Sequence, residues 1–525
     1  MEPGTGSKEQ PLLLWYHLIF YRASTNPITN NYRKRLYGIL PPLKLLLFVR
    51  SKEIDKIKKL PLLNKGASYT LNKWNGMATS TSNTKNAKIA ETGQARVIII
   101  GGGFAGMELV KALRGADLQV ILIDKQNFHT FQPLLYQVGT AAVEADSIIY
   151  PFRKIFDEQQ NFYFRLAEVQ SVDTVNQLVE TSIGLLRYDY LVIATGATTN
   201  FYGDEVMQKN AISIKNIQDA LALRNTILSN FEKALQIDDE EQLNSLMDYV
   251  IVGGGPTGVE LAGALSELRK HVFPRDYKEL DFIKMDIYLI QSGDILLKGM
   301  SAEASQKARD YLEKFGVKIL FNRKVKAYDG YTVTLDNGEK LITRTLIWAA
   351  GVTGAPVAGI RKESILRGNR LQTDEYNRVA GYQNLFAIGD IAAVVTPEHP
   401  EGHPMLAQPA MQQGKLLGQN LKKLVKNQAM RPFHYHDQGT MATIGRNQAV
   451  ADLKIFKKEF KTQGFIAWFI WAFIHLISIL GFRNRLFVLV NWMGSYFTYD
   501  KGIRLIVGQS KENIPVEAVT EKAVG

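Results

Sequence analysis

Two glycine-rich turns constrain the fold of this chain more than any other feature of its sequence. Residues 101–106 and 253–258 each fit the pattern G-x-G-x-x-G, and each directly follows a short apolar run that is typical of a strand. In such a turn the first glycine permits the bend, the second admits a pyrophosphate, and the third lets helix and strand pack closely. The order strand, turn, helix, strand recurs after about 150 residues, which predicts an α/β fold with two Rossmann-like dinucleotide-binding domains and parallel sheets.

The residue that ends the strand after each turn distinguishes the two sites. Asp124 follows the strand predicted at 119–123, where its carboxylate can accept hydrogen bonds from ribose hydroxyl groups. The strand predicted at 286–290 ends in Gln291 instead. A neutral amide still binds a hydroxyl group but does not repel a 2′-phosphate, so NADPH is admissible beside NADH. The alternative is that Gln291 is a surface residue without a role.

Two later segments extend the case for a flavin. Residues 191–196, LVIATG, look like the strand and turn where flavin-domain chains cross into a nicotinamide domain. Residues 385–390, LFAIGD, resemble the second flavin motif, whose aspartate binds a ribityl or phosphate-linked hydroxyl. Either segment alone could be a buried strand with a capping aspartate. Together with the two turns, they predict an FAD site and an exchangeable nicotinamide site in one chain.

The absence of cysteine restricts the chemistry of the chain. It excludes disulfides, thiolate zinc sites, cysteine-ligated iron–sulfur clusters and a catalytic thiol. Redox chemistry must therefore use a bound organic cofactor. The net charge of +12 does not indicate nucleic-acid binding, because residues 1–90 hold fifteen Lys/Arg and four Asp/Glu and no recognised nucleic-acid module accompanies them.

The basic segment 1–90 has three alternative interpretations: an organellar targeting segment, a membrane-surface anchor, or upstream sequence translated from an early start codon. The third, with Met77 as the natural start, is slightly favoured because Glu2 and Glu9 stand where a transit peptide would have basic or hydroxyl residues. The sequence does not choose between them.

Several strings resemble the type II NADH:quinone dehydrogenases, which belong to the two-dinucleotide-fold flavoproteins. They are FQPLLYQV at 131–138, WAAGV at 348–352, AQPAMQQG at 407–414 and the aromatic C-terminal region. The resemblance covers roughly residues 95–510. It implies tightly bound FAD, NADH or NADPH as the donor, ubiquinone or menaquinone as the acceptor, and no proton pumping. It also implies a peripheral protein on membrane lipid, at the cytoplasmic face of a bacterial inner membrane or at the mitochondrial inner membrane, and allows a homodimer.

The resemblance also assigns roles to three residues. It places Gln408 and Gln412 in the quinone pocket, four residues apart on one helical face. It places Glu260 opposite the nicotinamide and flavin, where it could orient the ring or take part in proton delivery. The alternatives are that both glutamines are ordinary polar helix residues and that Glu260 is a solvated first-turn acid. Gln132, Pro133 and Tyr136 lie on a loop near the flavin in the family, with packing as plausible a role as contact.

The expected domain order is an N-terminal extension (1–90), a first FAD-binding part (91–215), an NAD(P)H-binding domain (216–345), a second FAD-binding part with the quinone-site helix (346–430) and a membrane-anchoring region (431–525). No metal site is expected, and neither His403 nor His475 has a partner at ligand spacing. The expected cofactor-binding residues are Gly101, Gly103, Phe104, Ala105, Gly106, Asp124, Lys125, Ala194, Thr195, Gly196, Gly253, Gly255, Pro256, Thr257, Gly258, Gln291, Ala350, Gly351, Gly389, Asp390, Ala407 and Gln408.

The C-terminal region predicts attachment to a membrane. Residues 465–482 carry no charge and would be ~27 Å long as one helix, at the lower limit for crossing a bilayer. Basic residues flank both ends, and a second aromatic-rich stretch follows at 486–499. Monotopic helices that lie in one leaflet are therefore preferred to a transmembrane helix.

The resemblance implies a respiratory oxidoreductase that passes two electrons from NADH, or NADPH, through FAD to a membrane quinone. Two alternatives stay open. One is an NAD(P)H-dependent flavin reductase that serves a soluble acceptor, and the other is a nicotinamide-sensing flavoprotein that scarcely turns over.

Overall fold

A computed structural model describes residues 85–397, 399–455, 458–500 and 504–507. The basic segment 1–84, with the start-codon and targeting interpretations that concern it, lies outside the described residues.

The secondary structure alternates strands and helices through most of the described chain. The strands are β1 Arg96–Ile100, β2 Gln119–Asp124, β3 Phe128–Thr130, β4 Ile149–Pro151, β5 Phe162–Leu166, β6 Val169–Asp173, β7 Leu178–Thr181, β8 Gly184–Arg187, β9 Tyr190–Ile193, β10 Ala197–Thr199, β11 Ile212–Ser213, β12 Tyr249–Val252, β13 Ile287–Gln291, β14 Lys318–Phe321, β15 Val325–Tyr328, β16 Thr332–Leu335, β17 Lys340–Ile342, β18 Thr345–Trp348, β19 Val352–Gly354, β20 Ile365–Leu366, β21 Arg370–Thr373, β22 Leu385–Ala387, β23 Ala392–Val394, β24 Gly439–Gly445, β25 Gln448–Ile455 and β26 Lys458–Gln463. The helices are α1 Phe104–Ala112, α2 Leu135–Gly139, α3 Phe152–Ile155, α4 Glu205–Asn210, α5 Ile217–Ala234, α6 Glu240–Met247, α7 Pro256–His271, α8 Phe273–Asp276, α9 Ala302–Lys314, α10 Ala407–Leu424, α11 Phe465–Ser478 and α12 Phe482–Thr498.

The first parallel sheet follows from β-branched runs that are buried on both faces. Its strand order is β22-β9-β1-β2-β5, with β1 at the centre. Val97 and Ile99 pack in the same core as residues of α1 and α10, whereas Ile98 and Ile100 pack with residues of β6 and β7. Successive side chains of a strand point to opposite faces, so one apolar run serves two cores.

The second parallel sheet has the order β11-β18-β12-β13-β14 and repeats the strand–turn–helix–strand unit. The two sheets therefore confirm the predicted α/β class with two dinucleotide-binding folds. An antiparallel ribbon of β10 and β19 joins them where the chain leaves the first sheet and returns.

Two predicted domain boundaries differ from the observed topology. β11 pairs with β18 in the second sheet although it precedes the expected boundary at 215/216. β18 itself runs past the expected boundary at 345/346. The ribbon of β10 and β19 marks both crossings. Its pairing joins distant parts of the chain, so no local pattern reveals it.

The C-terminal region adds a three-stranded antiparallel sheet, β24-β25-β26, and two helices. The β24 strand lies directly against α7. A Cβ atom added at Gly263 would overlap the carbonyl group of Ile444, so only glycine permits this approach of helix to strand. The packing ties the C-terminal sheet to the helix that follows the second glycine-rich turn.

The charge-free stretch 465–482 is not one helix, contrary to the length argument. α11 ends at Ser478, and Gly481 with a φ of 80° separates it from α12. Among the described residues, no helix is both long and apolar enough to cross a bilayer. The break splits the apolar surface between two helices.

Candidate active site

The first glycine-rich turn joins β1 to α1 and is fixed by Asp124. The Asp124 carboxylate accepts hydrogen bonds from Gly102 N–H at 2.6 Å and from Gln126 N–H at 2.7 Å. Burial raises the pKa of Asp124, although these N–H groups and the charge of Lys125 oppose the rise. Asp124 thus supports the turn in addition to the ribose contact that the sequence predicts for it.

The turn leaves room for a pyrophosphate only because its residues are small. Gly101 has a φ of +103°, and a Cβ atom there would overlap the Ala194 carbonyl group. A Cβ atom at Gly106 would overlap the Gly101 carbonyl group, whereas Gly103 faces open space. This arrangement fits the phosphates of a dinucleotide at the start of α1.

The predicted flavin segments meet at this turn. A Cβ atom at Gly389 would lie 3.0 Å from that of Ala105 and 3.6 Å from that of Ala410 on α10. Gly389 N–H donates to Gln413 Oε1 at 2.7 Å, and Asp390 forms an ion pair with Lys215 at 3.6 Å. The segment 389–390 and the start of α10 therefore lie beside the first turn, as an FAD site requires.

The second turn repeats this construction with an amide in place of the acid. Gly253 has a φ of +110° and abuts the Ala349 carbonyl group. Gln291 Oε1 accepts from Gly254 N–H at 3.0 Å, and its Nε2 donates to the Ile295 carbonyl at 3.0 Å. Gln291 is therefore a structural counterpart of Asp124, which excludes the interpretation that it has no role.

The remaining predicted cofactor residues surround the two turns. Thr195 Oγ1 donates to the Ala355 carbonyl at 2.7 Å, and Lys125 pairs with Glu168 at 2.6 Å. Pro256 and Thr257 open α7 and are exposed. Their contacts with a cofactor stay predictions.

Gln408 and Gln412 lie on one face of α10, as expected, but both side chains bind the segment before β24. Gln408 accepts from Gln438 N–H at 3.1 Å and donates to the Gly439 carbonyl at 2.9 Å. Gln412 makes a reciprocal pair with the backbone of His436, at 2.8 and 2.9 Å. These bonds dock α10 on the C-terminal region, a function that the sequence did not indicate. A role in quinone binding stays a prediction.

Glu260 lies on α7 in the wall of a cavity of about 110 Å³, which we call the aromatic cavity. Burial raises the pKa of Glu260 to about 8, against the opposing effects of the Thr443 backbone N–H and the Trp471 side chain. Burial thus favours the protonated form of the carboxyl group. The position of Glu260 in the cavity wall argues against the alternative of a solvated first-turn acid. The aromatic cavity is lined by Tyr136, Gln137, Thr140, Ala142, Glu260, Ala264, Glu267, His271, Val272, Thr443, Ile444, Gly445, Arg446, Trp468, Trp471, Ala472, Trp492, Ser495, Tyr496 and Tyr499.

Tyr136 connects the loop at 131–138 with this cavity. Its hydroxyl accepts from Gln137 Nε2 at 2.9 Å, and Gln137 Oε1 in turn accepts from Trp492 Nε1 at 2.7 Å. Burial raises the pKa of Tyr136 well above its usual value, and the charges of Glu260 and Glu267 add to the rise. Gln137 and Trp492 were not singled out from the sequence, because their proximity depends on the docking of α12.

The two histidines that the sequence raised, His403 and His475, each lie beside another ring. No group of three or more His, Cys, Asp or Glu side chains in the described part of the chain could hold a metal ion. The ring of His475 stacks on that of Trp471, with centroids 4.3 Å apart. The ring centroids of His403 and His399 are 4.4 Å apart.

α11 and α12 present large apolar side chains to solvent. Phe482 and Phe497 are 80% and 74% exposed. The other large apolar side chains of α11 and α12 that are more than a third exposed are Phe465, Ile466, Phe469, Phe473, Ile474, Ile477, Leu486, Phe487, Leu489, Val490 and Met493. A contiguous apolar face of this kind marks an interaction surface.

Comparison with known proteins identifies the family. Residues 95–414 match the family model described as pyridine nucleotide-disulphide oxidoreductase, and residues 437–498 match that of the NDH2 C-terminal domain. The chain is 35% identical over 429 residues to the type II NADH:quinone oxidoreductase Ndh of Mycobacterium tuberculosis, covering 79% of this chain and 90% of that protein. The chain belongs to the type II NADH:quinone oxidoreductases.

Other members of the family and a solved structure agree with this assignment. The chain is 31% identical to the internal alternative NAD(P)H-ubiquinone oxidoreductase A1, mitochondrial, of Arabidopsis thaliana, covering 78% of this chain and 86% of that protein. The structure of NDH2 from Plasmodium falciparum in complex with NADH aligns with a TM-score of 0.71 and 21% identity, covering 79% of this chain and all of that one. At this identity the structural match supports the fold.

Proposed function

We propose that this type II NADH:quinone oxidoreductase oxidises NADH and reduces a membrane quinone through FAD, without pumping protons. The observation that carries the proposal is the position of the aromatic cavity. It extends from Glu260, on the helix that follows the nicotinamide turn, to side chains of the two helices with the exposed apolar face. A lipid-soluble acceptor can thus approach the redox site from the membrane.

The chain supplies binding and electrostatics to this reaction. Bound FAD would supply the two-electron redox chemistry. The glycines of the first turn and segment 389–390 would hold FAD, and the second turn with Gln291 would hold the donor. Burial raises the pKa of Glu260 to about 8, so this carboxyl group can hold a proton beside the site.

Membrane attachment would use α11 and α12 as monotopic helices in one leaflet. Each large apolar side chain that moves from water into lipid contributes about 1.5–3 kcal/mol. The cytoplasmic face of a bacterial inner membrane is the predicted location, with the mitochondrial inner membrane as the alternative. The quinone type and a homodimer also stay predictions.

Stopped-flow spectroscopy tests donor, flavin and acceptor in one experiment. The flavin should be reduced rapidly by NADH and reoxidised by a soluble quinone analogue. Reduction to a long-lived charge-transfer complex that quinone does not reoxidise would contradict the proposal and favour a nicotinamide sensor.

Membrane delivery is tested by a triple variant of the apolar face, Phe487→Ser, Val490→Ser and Phe497→Ser. It should lose binding to lipid vesicles and turnover with a long-chain quinone, but keep turnover with the soluble analogue. The matched control is Val175→Ser with Val206→Ser, which are 88% and 56% exposed elsewhere in the chain. Unaltered long-chain quinone turnover in the triple variant would favour a soluble acceptor.

A further inference from the structure

One face of α7 carries three titratable side chains and supports an inference beyond the family assignment. Glu260, Ala264, Glu267 and His271 follow the spacing i, i+4, i+7, i+11, which places them on one face of a helix. All four line the aromatic cavity. The stripe that these four residues form begins near the nicotinamide turn and ends at the last residue of the helix.

The far end of this stripe reaches solvent through a second cleft, which we call the outer cleft. Glu267, His271, Arg446 and Tyr499 line both the outer cleft and the aromatic cavity. The outer cleft is also lined by Lys270, Asp281 and Ile283, which are exposed to water. Glu267 and His271 therefore lie where the aromatic cavity meets the outer cleft.

The proposed reaction needs a route of this kind. Written in balance, NADH, one proton and a quinone give NAD⁺ and a quinol, so each turnover takes one proton from solvent. A proton that enters from the outer cleft passes Glu267 and His271 on its way to Glu260. We propose that Glu267 and His271 relay protons from the outer cleft to Glu260. The need for the proton rests on the proposed function, whereas the relay itself can be tested without turnover.

The groups around the stripe suit such a relay. Glu267 Oε1 accepts a hydrogen bond from the backbone N–H of Arg446 at 2.6 Å. This bond fixes the Glu267 carboxylate where the aromatic cavity meets the outer cleft. The His271 ring stacks on Tyr499 with centroids 4.2 Å apart. The titratable or charged side chains that line the aromatic cavity with Glu260 are Tyr136 on α2, Glu267 and His271 on α7, Arg446 before β25, and Tyr496 and Tyr499 on α12.

Burial and the neighbouring positive charges favour the neutral form of His271. Burial lowers the pKa of His271, the neighbouring Lys270, Arg275 and Arg446 lower it further, and Glu267 opposes them. A neutral imidazole has one nitrogen that accepts a proton and one that donates, so it can pass a proton between two neighbours. The Arg446 guanidinium lies between Tyr496 and Tyr499, 4.2 and 4.1 Å from their ring centroids, and is held there as a fixed positive charge.

The direct test is infrared spectroscopy of the protonated Glu260 carboxyl group after transfer to D₂O, with no substrate present. Glu260→Gln identifies the band by its loss. Glu267→Gln keeps the hydrogen-bond acceptor for Arg446 N–H but cannot titrate, and His271→Gln likewise keeps polarity. Each should slow hydrogen–deuterium exchange at Glu260 by about tenfold or more, and Glu267→Asp should restore it. The control Glu313→Gln, on the exposed part of α9, should exchange like the wild type.

Exchange as fast as that of the wild type in both Glu267→Gln and His271→Gln would overturn the proposal, whatever the acceptor of the enzyme proves to be. A second measurement follows proton uptake with an indicator dye while a quinone analogue oxidises the NADH-reduced enzyme. Both variants should slow proton uptake and quinol formation together and leave reduction by NADH unchanged. Slow exchange with unaltered proton uptake would overturn the role of the relay in turnover.

Discussion

Replacing Glu260 with glutamine should make the stability of the protein less dependent on pH. The pKa of the wild-type carboxyl group rises from 4.5 to about 8 on folding. A raised acid pKa means that the protonated form is favoured in the folded state. The contribution of Glu260 to stability is therefore greatest below the unfolded pKa of 4.5, falls as the pH rises towards 8, and stays low above it.

The magnitude follows from the size of the shift. Each pKa unit corresponds to about 1.4 kcal/mol, so the buried carboxyl group costs about 2 kcal/mol at pH 6 and about 5 kcal/mol at pH 9. Glu260→Gln removes this titration and keeps a side chain of similar size. Between these two pH values, the wild type should lose about 3 kcal/mol of stability relative to the variant.

The assay is thermal and denaturant-induced unfolding of the FAD-loaded wild type and variant at both pH values. Glu313→Gln serves as the control, because its side chain is 46% exposed on α9. The difference in Tm between wild type and Glu260→Gln should change with pH, whereas the difference between wild type and control should not. A constant difference for Glu260→Gln would refute the inference that burial keeps this carboxyl group protonated.

Three further changes test other parts of the site. Gln291→Glu can still accept a hydrogen bond from Gly254 N–H but would repel a 2′-phosphate. The value of kcat/KM for NADPH should therefore fall about tenfold more than that for NADH. An equal loss for both donors would contradict a role of Gln291 in donor specificity. Gly263→Ala should destabilise the docking of β24 on α7 by about 1–3 kcal/mol, because the added Cβ atom overlaps the Ile444 carbonyl group. Denaturant-induced unfolding measures this loss. Unchanged stability would show that the helix shifts freely. Gln408→Leu should raise KM for the quinone and leave flavin reduction by NADH unchanged, and an unaltered KM would leave this residue only its docking role.

The short-range features of this chain could be predicted from its sequence because their causes are local. A Rossmann-type unit spans only about 25 residues. This short stretch contains the glycines at positive φ, the β-branched runs and the residue that ends the following strand. Both turns and most central strands of the parallel sheets were therefore expected within a residue or so. The crossing ribbon of β10 and β19 was not, because its partners are far apart in the sequence.

The two glycine-rich turns, the segments 191–196 and 385–390 and the absence of cysteine together predicted a flavoprotein with two dinucleotide sites. The sequence also placed Glu260 near the start of α7, but it left open whether that carboxyl group is solvated. Only the docking of α2, β24 and the C-terminal helices around α7 decided this, since a pKa depends on what surrounds a group in space. The same docking bound the amides of Gln408 and Gln412 to a distant segment, and it joined Glu260, Glu267 and His271 to solvent through two cavities.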